Sequence, residues 1–215
     1  MARKGGTSEK FWNKIANKYA NLAISDEAAY KKKLDITQSY FSNNMEILEL
    51  GCGTGSTAIA HAPHVKHITA VDISENMLAI AKQKATKNNI DNISFKYSAI
   101  EQLESKPQAY DVVLALSLLH LLEDKDTAIK KIFAMLKPGG LFISSTTCLG
   151  DNMKYIGLIA PVGRLFGFMP LIKIFTVSEL IEAITASGFK IETQWQPGKN
   201  KAAFIVARKP THQTT

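Results

Sequence analysis

Three glycines and two carboxylates carry the chemistry that can be read in this chain. Glu49, Gly51, Gly53 and Gly55 lie in the run E-L-G-C-G-T-G, and Asp72 closes the run H-I-T-A-V-D that follows. Glycine lacks a β-carbon, so alternate glycines let the main chain bend sharply and let a ligand approach it closely. A helix opening near Thr54 offers free N–H groups and a partial positive end. Asp72 stands 21 positions after Gly51. A carboxylate placed there, at the end of a second strand, accepts hydrogen bonds from both hydroxyls of a ribose.

The elements that must position these groups follow from the flanking pattern. Ile47-Leu48 and Leu50, interrupted only by Glu49, form an apolar strand ahead of the glycines. Ser56 to Ala62 suits a helix, stopped by Pro63, and Ile68 to Val71 forms a second strand ending at Asp72. Strand, glycine turn, helix and strand make the first half of a doubly wound nucleotide-binding sheet. A dinucleotide fingerprint would need a glycine at position 56, which is Ser56, and a phosphate loop would need a lysine after Gly55, which is absent. The observed pattern is E-x-G-x-G-x-G; on the glycines alone a dinucleotide site stays open.

Taken together, E-L-G-C-G-T-G, V-D-I-S at 71–74, Y-D-V-V-L-A-L-S-L-L-H-L-L at 110–122 and L-K-P-G-G-L-F-I-S at 136–144 resemble the ordered motifs of the class I S-adenosylmethionine-dependent methyltransferases. The resemblance spans about residues 45–208. It implies an α/β fold: a doubly wound, seven-stranded Rossmann-like sheet whose last strand is antiparallel, with an N-terminal helical lid over residues 1–43. It implies S-adenosylmethionine as cofactor and S-adenosylhomocysteine as product. The cofactor contacts it implies are Glu49, Gly51, Cys52, Gly53, Gly55, Asp72, Ile73, Met77, Ala99, Ile100 and Leu116, with Tyr19 from the lid. Ser98 stands where the family carries an acidic or small polar contact to the adenine amine, so the backbone of Ala99 and the side chain of Ile100 are the adenine candidates.

The remaining chain supplies the acceptor side. Phe11, Trp12, Ile15 and Tyr19 recur at helical spacing, and a second helix is expected over 27–41, with Lys31 to Lys33 mostly solvated. Tyr19 and Tyr30 are either lid residues or packing aromatics. Ser74 caps a helix to Asn88, and strands are expected at 93–97 and 111–116. His120 leaves the carboxyl end of the latter, as a general base or as a packing histidine. His61, His64 and His67 read as solvated loop residues rather than as metal ligands. Lys137-Pro138-Gly139-Gly140 reads as a turn before a strand at 141–147. Thr176 and Glu179 form a capping box, and strands at 189–195 and 202–207 close the sheet through a hairpin. Residues 150–175 are rich in large apolar side chains but broken by Pro161, Arg164, Pro170 and Lys173. They form an insert with three readings: a substrate cap lined by Tyr155, Leu158, Phe166, Phe168 and Met169, a helical addition to the core, or a membrane-surface or dimer contact.

The totals agree with a single globular domain. The chain has 215 residues, of which 46% are hydrophobic and 21% charged. Two cysteines do not make a secreted disulfide scaffold, and the basic, polar start has no signal-peptide core, so a cytoplasmic protein is expected. Residues 1–8 and the segment after Arg208 read as loose. The net charge of +7 lacks the aromatic-interleaved basic stripe of a nucleic-acid binder. No nucleic acid and no transmembrane segment are expected, and the chain is read as a monomer or homodimer. The place where base aminomethylases of this family carry Asn/Asp-Pro-Pro-aromatic holds Leu116-Ser117-Leu118-Leu119. The expected activity is therefore methyl transfer to a small apolar or amphipathic molecule. The alternatives are a non-catalytic cofactor-binding module and an NAD-dependent oxidoreductase.

Overall fold

A seven-stranded sheet with the order β3-β2-β1-β4-β5-β7-β6 forms the centre of the computed structural model, which describes residues 6–104 and 106–211. The strands are β1 (Glu46–Leu50), β2 (His67–Asp72), β3 (Ile93–Tyr97), β4 (Tyr110–Leu116), β5 (Leu136–Thr146), β6 (Lys190–Trp195) and β7 (Ala203–Arg208). β1 to β5 pair in parallel, and β7 runs antiparallel to both β5 and β6. The chain starts in the middle, winds outward to β3, and returns to β4 on the other side of β1. That reversal opens a crevice beyond the carboxyl ends of β1 and β4, where doubly wound sheets bind ligands.

Side-chain alternation splits the core into two layers. Leu48, Leu50, Val113 and Phe142 pack under α5 (Lys125–Met135) and α7 (Val177–Ala186). Ile47, Ile68, Ala70, Val112 and Leu114 face α3 (Ser56–His61) and α4 (Glu75–Lys87). The period of two therefore puts Glu49 on the second face, with Ile47. β1, β4, β5 and β7 are buried on both sides, whereas the edge strand β6 alternates.

α1 (Thr7–Ala20) lies against α4. Its Asn13 Oδ1 accepts from Ser74 Oγ at 2.7 Å and from the Asn76 N–H at 3.2 Å. α2 (Glu27–Gln38) is capped by Asp26 and held to α3 by Gln38, whose Nε2 donates to the Ala60 carbonyl at 3.1 Å. The insert folds into α6 (Ile156–Leu165), with Pro161 inside the helix.

Four expectations change. Lys137 to Gly140 belong to β5: the pairing steps from Tyr110–Leu136 to Val112–Leu141, so Pro-Gly-Gly is a bulge within a strand, with Gly139 at φ +79°. His61 is buried, its imidazole edge-on to Phe41, and burial lowers its pKa to about 4. The expected loose start falls in part on residues 1–5, outside the described residues, while Thr7 and Ser8 are already helical. Lys209 is likewise anchored, donating to the carbonyls of Phe133 and Leu136 at 2.7 and 2.8 Å; residues 212–215 lie outside the described residues.

Candidate functional site

The glycine bend is built as the spacing requires. Gly51, Gly53 and Gly55 have φ of +68°, +53° and +75°, a region that side-chain-bearing residues rarely adopt. Space is short as well: a β-carbon on Gly51 would stand 2.9 Å from Leu118 Cδ1, and one on Gly55 would stand 2.8 Å from Ala81 Cβ. The bend is tied to the neighbouring strand. Asp72 Oδ2 accepts the Gly53 N–H and Oδ1 accepts the Ser74 N–H, each at 2.8 Å.

Two cavities meet at this bend. The first, about 350 Å³, runs over Asp72, Ile73, Met77, Ala99 and Ile100 toward Leu118, Leu121, Leu122, Arg164 and Leu171. The second, about 500 Å³, lies over Glu49, Cys52 and Thr54 and under α2, reaching Tyr30, Lys33 and Ser145. Tyr19, Gly51, Gly53, Leu116 and Ser117 border both. Ser117 has φ +58° and donates its N–H to the Ser145 carbonyl at 2.6 Å, a left-handed non-glycine residue held at the end of β4.

The electrostatics are those of carboxylates removed from water. Burial raises the pKa of Glu49 to about 8, with the nearby Asp72 charge adding to the shift. Its Oε2 is buried and has no hydrogen-bond partner among the described residues. Burial also raises the Asp72 pKa, opposed by the N–H groups of Gly53, Ser74 and Ile73. Lys33 donates from Nζ to Ser145 Oγ at 2.9 Å, and burial lowers its pKa against the pull of Asp26. The second cavity is thus lined by an acidic side chain whose buried Oε2 has no partner among the described residues, and by a cation.

The structure brings Glu49, Gly51, Cys52, Gly53, Asp72, Ile73, Met77, Ala99, Ile100, Leu116, Tyr19 and Tyr30 together around the two cavities. Gly55 shapes the bend from behind, with Ala81 as its neighbour. Ser98 lines the first cavity, but its hydroxyl donates to the Ala99 carbonyl at 2.9 Å. His120 lines neither cavity; its Nδ1 is buried without a partner among the described residues, and burial lowers its pKa to about 4. Tyr155, Phe166 and Phe168 are turned to solvent rather than to the cleft, because the inward side of α6 carries small residues instead. Met169 packs against Gly163, and Leu158 is also exposed.

Sequence reasoning missed Trp12, Lys33, Ser117 and Leu118. Lys33 carried a usable signal: it falls four residues after Ala29 and four before Thr37, the two buried positions of α2, and so shares their face. Ser117 had none, since a serine announces no positive φ.

Residues 41–207 match a family model described as a methyltransferase domain. A ubiquinone biosynthesis O-methyltransferase from Coxiella burnetii is 29% identical over 171 residues, 79% of this chain and 70% of the relative. A demethylmenaquinone methyltransferase from Leptospira interrogans is 32% identical over 150 residues, 66% of this chain and 60% of the relative. The same fold is seen in the crystal structure of an S-adenosylmethionine-dependent methyltransferase from Mesorhizobium loti, with a TM-score of 0.69 at 20% identity over 86% of this chain and 99% of that one.

Proposed function

This chain belongs to the methyltransferase-domain family, and from that premise we propose that it transfers a methyl group from S-adenosylmethionine to a small apolar or amphipathic acceptor. The observation that carries the reading is the pair of buried carboxylates, Glu49 and Asp72, on either side of one glycine bend. The residues present fit the cofactor. The Asp72 carboxylate accepts the Gly53 N–H on Oδ2 and the Ser74 N–H on Oδ1 and keeps capacity for a ribose hydroxyl. Glu49 Oε2 has no partner among the described residues and suits the ammonium of an amino acid, while Lys33 suits its carboxylate. Ile73, Met77, Ile100 and Leu116 offer an apolar slot for a flat base.

When bound, S-adenosylmethionine supplies a methyl group on a sulfonium whose charge vanishes on transfer. The protein's part is then alignment and exclusion of water, worth several kcal/mol in favourable geometries. Tyr19 closes over the bend, its Cε1 4.0 Å from where a β-carbon of Gly53 would stand. The acceptor belongs beside Leu118, Leu121, Leu122 and Leu171, an apolar wall continuous with the base slot. Two of the relatives take their names from quinone methylation, which supports an apolar ring as acceptor. Titration calorimetry tests the foundation: S-adenosylmethionine binds and NADH does not. Binding of NADH in its place would defeat the reading.

A further inference from the structure

We propose that the outward face of α6 docks on an anionic lipid bilayer, so that an apolar acceptor passes from the membrane into the adjoining cleft. The acceptor clause rests on the methyl-transfer reading above; the docking surface stands on its own observations.

α6 is amphipathic in the reverse sense. Tyr155, Leu158, Ile159, Val162, Leu165 and Phe166 recur at the spacing of one helical stripe, and that stripe faces solvent. Leu158 is 80% exposed and Leu165 81%; Phe168, just beyond, is 73% exposed. The inward side is made of small residues. Ala160 is buried, a β-carbon on Gly163 would meet Met169 Sδ at 2.8 Å, and one on Gly157 would meet Ile174 at 3.1 Å. A helix placed to cover a core turns its large apolar residues inward. Here the close approach is made by glycine and alanine, and the large groups are left outside as a contiguous patch of the kind that marks an interaction site.

Charge selects the occupant. Between residues 152 and 175 there are three basic residues, Lys154, Arg164 and Lys173, and no acidic one. Glu123 pairs with Arg164 at 3.3 Å and Lys173 at 2.8 Å, while Lys154 stands exposed at the start of the stripe. The whole chain carries +7. Two such chains brought face to face repel, whereas an anionic surface attracts each of them. A ten-residue helix is about 15 Å long, too short to cross a bilayer and suited to lie in its interface. No helix among the described residues is long and apolar enough to span a membrane. Arg164, on the flank of the same helix, lines the first cavity, so the patch and the cleft mouth are neighbours.

Flotation of the full chain with vesicles tests this. Mixed phosphatidylglycerol–phosphatidylcholine vesicles should carry the protein up the gradient, and pure phosphatidylcholine vesicles should carry much less. The double variant Leu158→Glu/Leu165→Glu should lose at least tenfold in partitioning while keeping wild-type affinity for S-adenosylmethionine, which reports an intact fold. Failure of the wild type to float with anionic vesicles at low salt overturns the proposal, as does a double variant that floats equally well. Sedimentation that shows a dimer dissolved by the same two substitutions would assign the surface to a second copy and overturn it too. Vesicle binding without cofactor binding would instead remove the methyl-transfer reading and leave the docking surface standing.

Discussion

Asp72 reaches back across the crevice to accept the Gly53 N–H at 2.8 Å, so the carboxylate at the end of β2 fixes the bend at the end of β1. One side chain therefore shapes the loop and, in the proposed reading, also offers its remaining lone pairs to a ribose. Asp72→Ala removes both. Cofactor affinity should fall by one to two orders of magnitude, roughly 1.5–3 kcal/mol for lost charge-assisted hydrogen bonds. Methylthioadenosine, which keeps the ribose and lacks the amino-acid group, should lose affinity to the same degree in calorimetry. Unchanged affinity for both would remove Asp72 from the site.

Glu49 gives a pH signature. Its folded pKa of about 8 lies above the ordinary 4.5, so the folded state holds a proton that the unfolded state has released between those values. Stability from this group is whole below about pH 4.5 and declines as pH rises toward 8. Glu49→Gln removes that decline. Between pH 6 and 8.5 the wild type should lose roughly 2–3 kcal/mol more than Glu49→Gln in urea unfolding. Equal slopes would show Glu49 ionised in the free protein. An ammonium placed beside Oε2 favours the charged form, so binding near pH 7 should release about one proton, read by calorimetry in buffers of different ionisation enthalpy.

Lys33 completes the second cavity. Lys33→Met should weaken S-adenosylmethionine binding about tenfold, close to 1.4 kcal/mol, through loss of a charged partner for the amino-acid carboxylate. Affinity for methylthioadenosine should not change. A parallel loss for both ligands would mean that Lys33 only braces α2 against Ser145 Oγ.

The difference between these residues and the insert shows what a sequence discloses. Glu49, the glycines and Asp72 were legible because their constraints are local: a strand of period two, a bend that needs φ > 0, and a strand end. The two-layer sheet followed, since strands such as β4 must be apolar on both faces. Lys33 was hidden inside a run of three lysines, where only the helical phase set by Ala29 and Thr37 distinguishes it from its solvated neighbours. For the insert, residue type alone left three readings open, because it does not say which face of the helix carries the large side chains. Gly157, Ala160 and Gly163 hold the inward face, and this follows from packing against Met169 and Ile174 rather than from any single stretch. The bulge at Lys137 to Gly140 escaped for a similar reason: Pro-Gly-Gly marks a break in a ladder as well as the end of one.

His120 is the residue for which sequence position and geometry part most clearly. It leaves the end of β4, where a proton acceptor would be useful, yet it lines neither cavity. Its backbone carbonyl accepts the Lys173 N–H at 2.8 Å, which ties the end of the insert to the short turn after β4. Burial lowers its pKa to about 4, so the imidazole is neutral at physiological pH and too weak a base to compete for a substrate proton near pH 7. His120→Ala keeps the backbone tie. Turnover and cofactor affinity should therefore stay within about twofold of the wild type across pH 6–8, while stability should change by about 1 kcal/mol or less in either direction, as lost packing offsets the relief of an unpartnered Nδ1. A kcat reduced a hundredfold or more with unchanged cofactor affinity would return His120 to the catalytic machinery, and would require the turn at 119–121 to swing its ring into the cleft on acceptor binding.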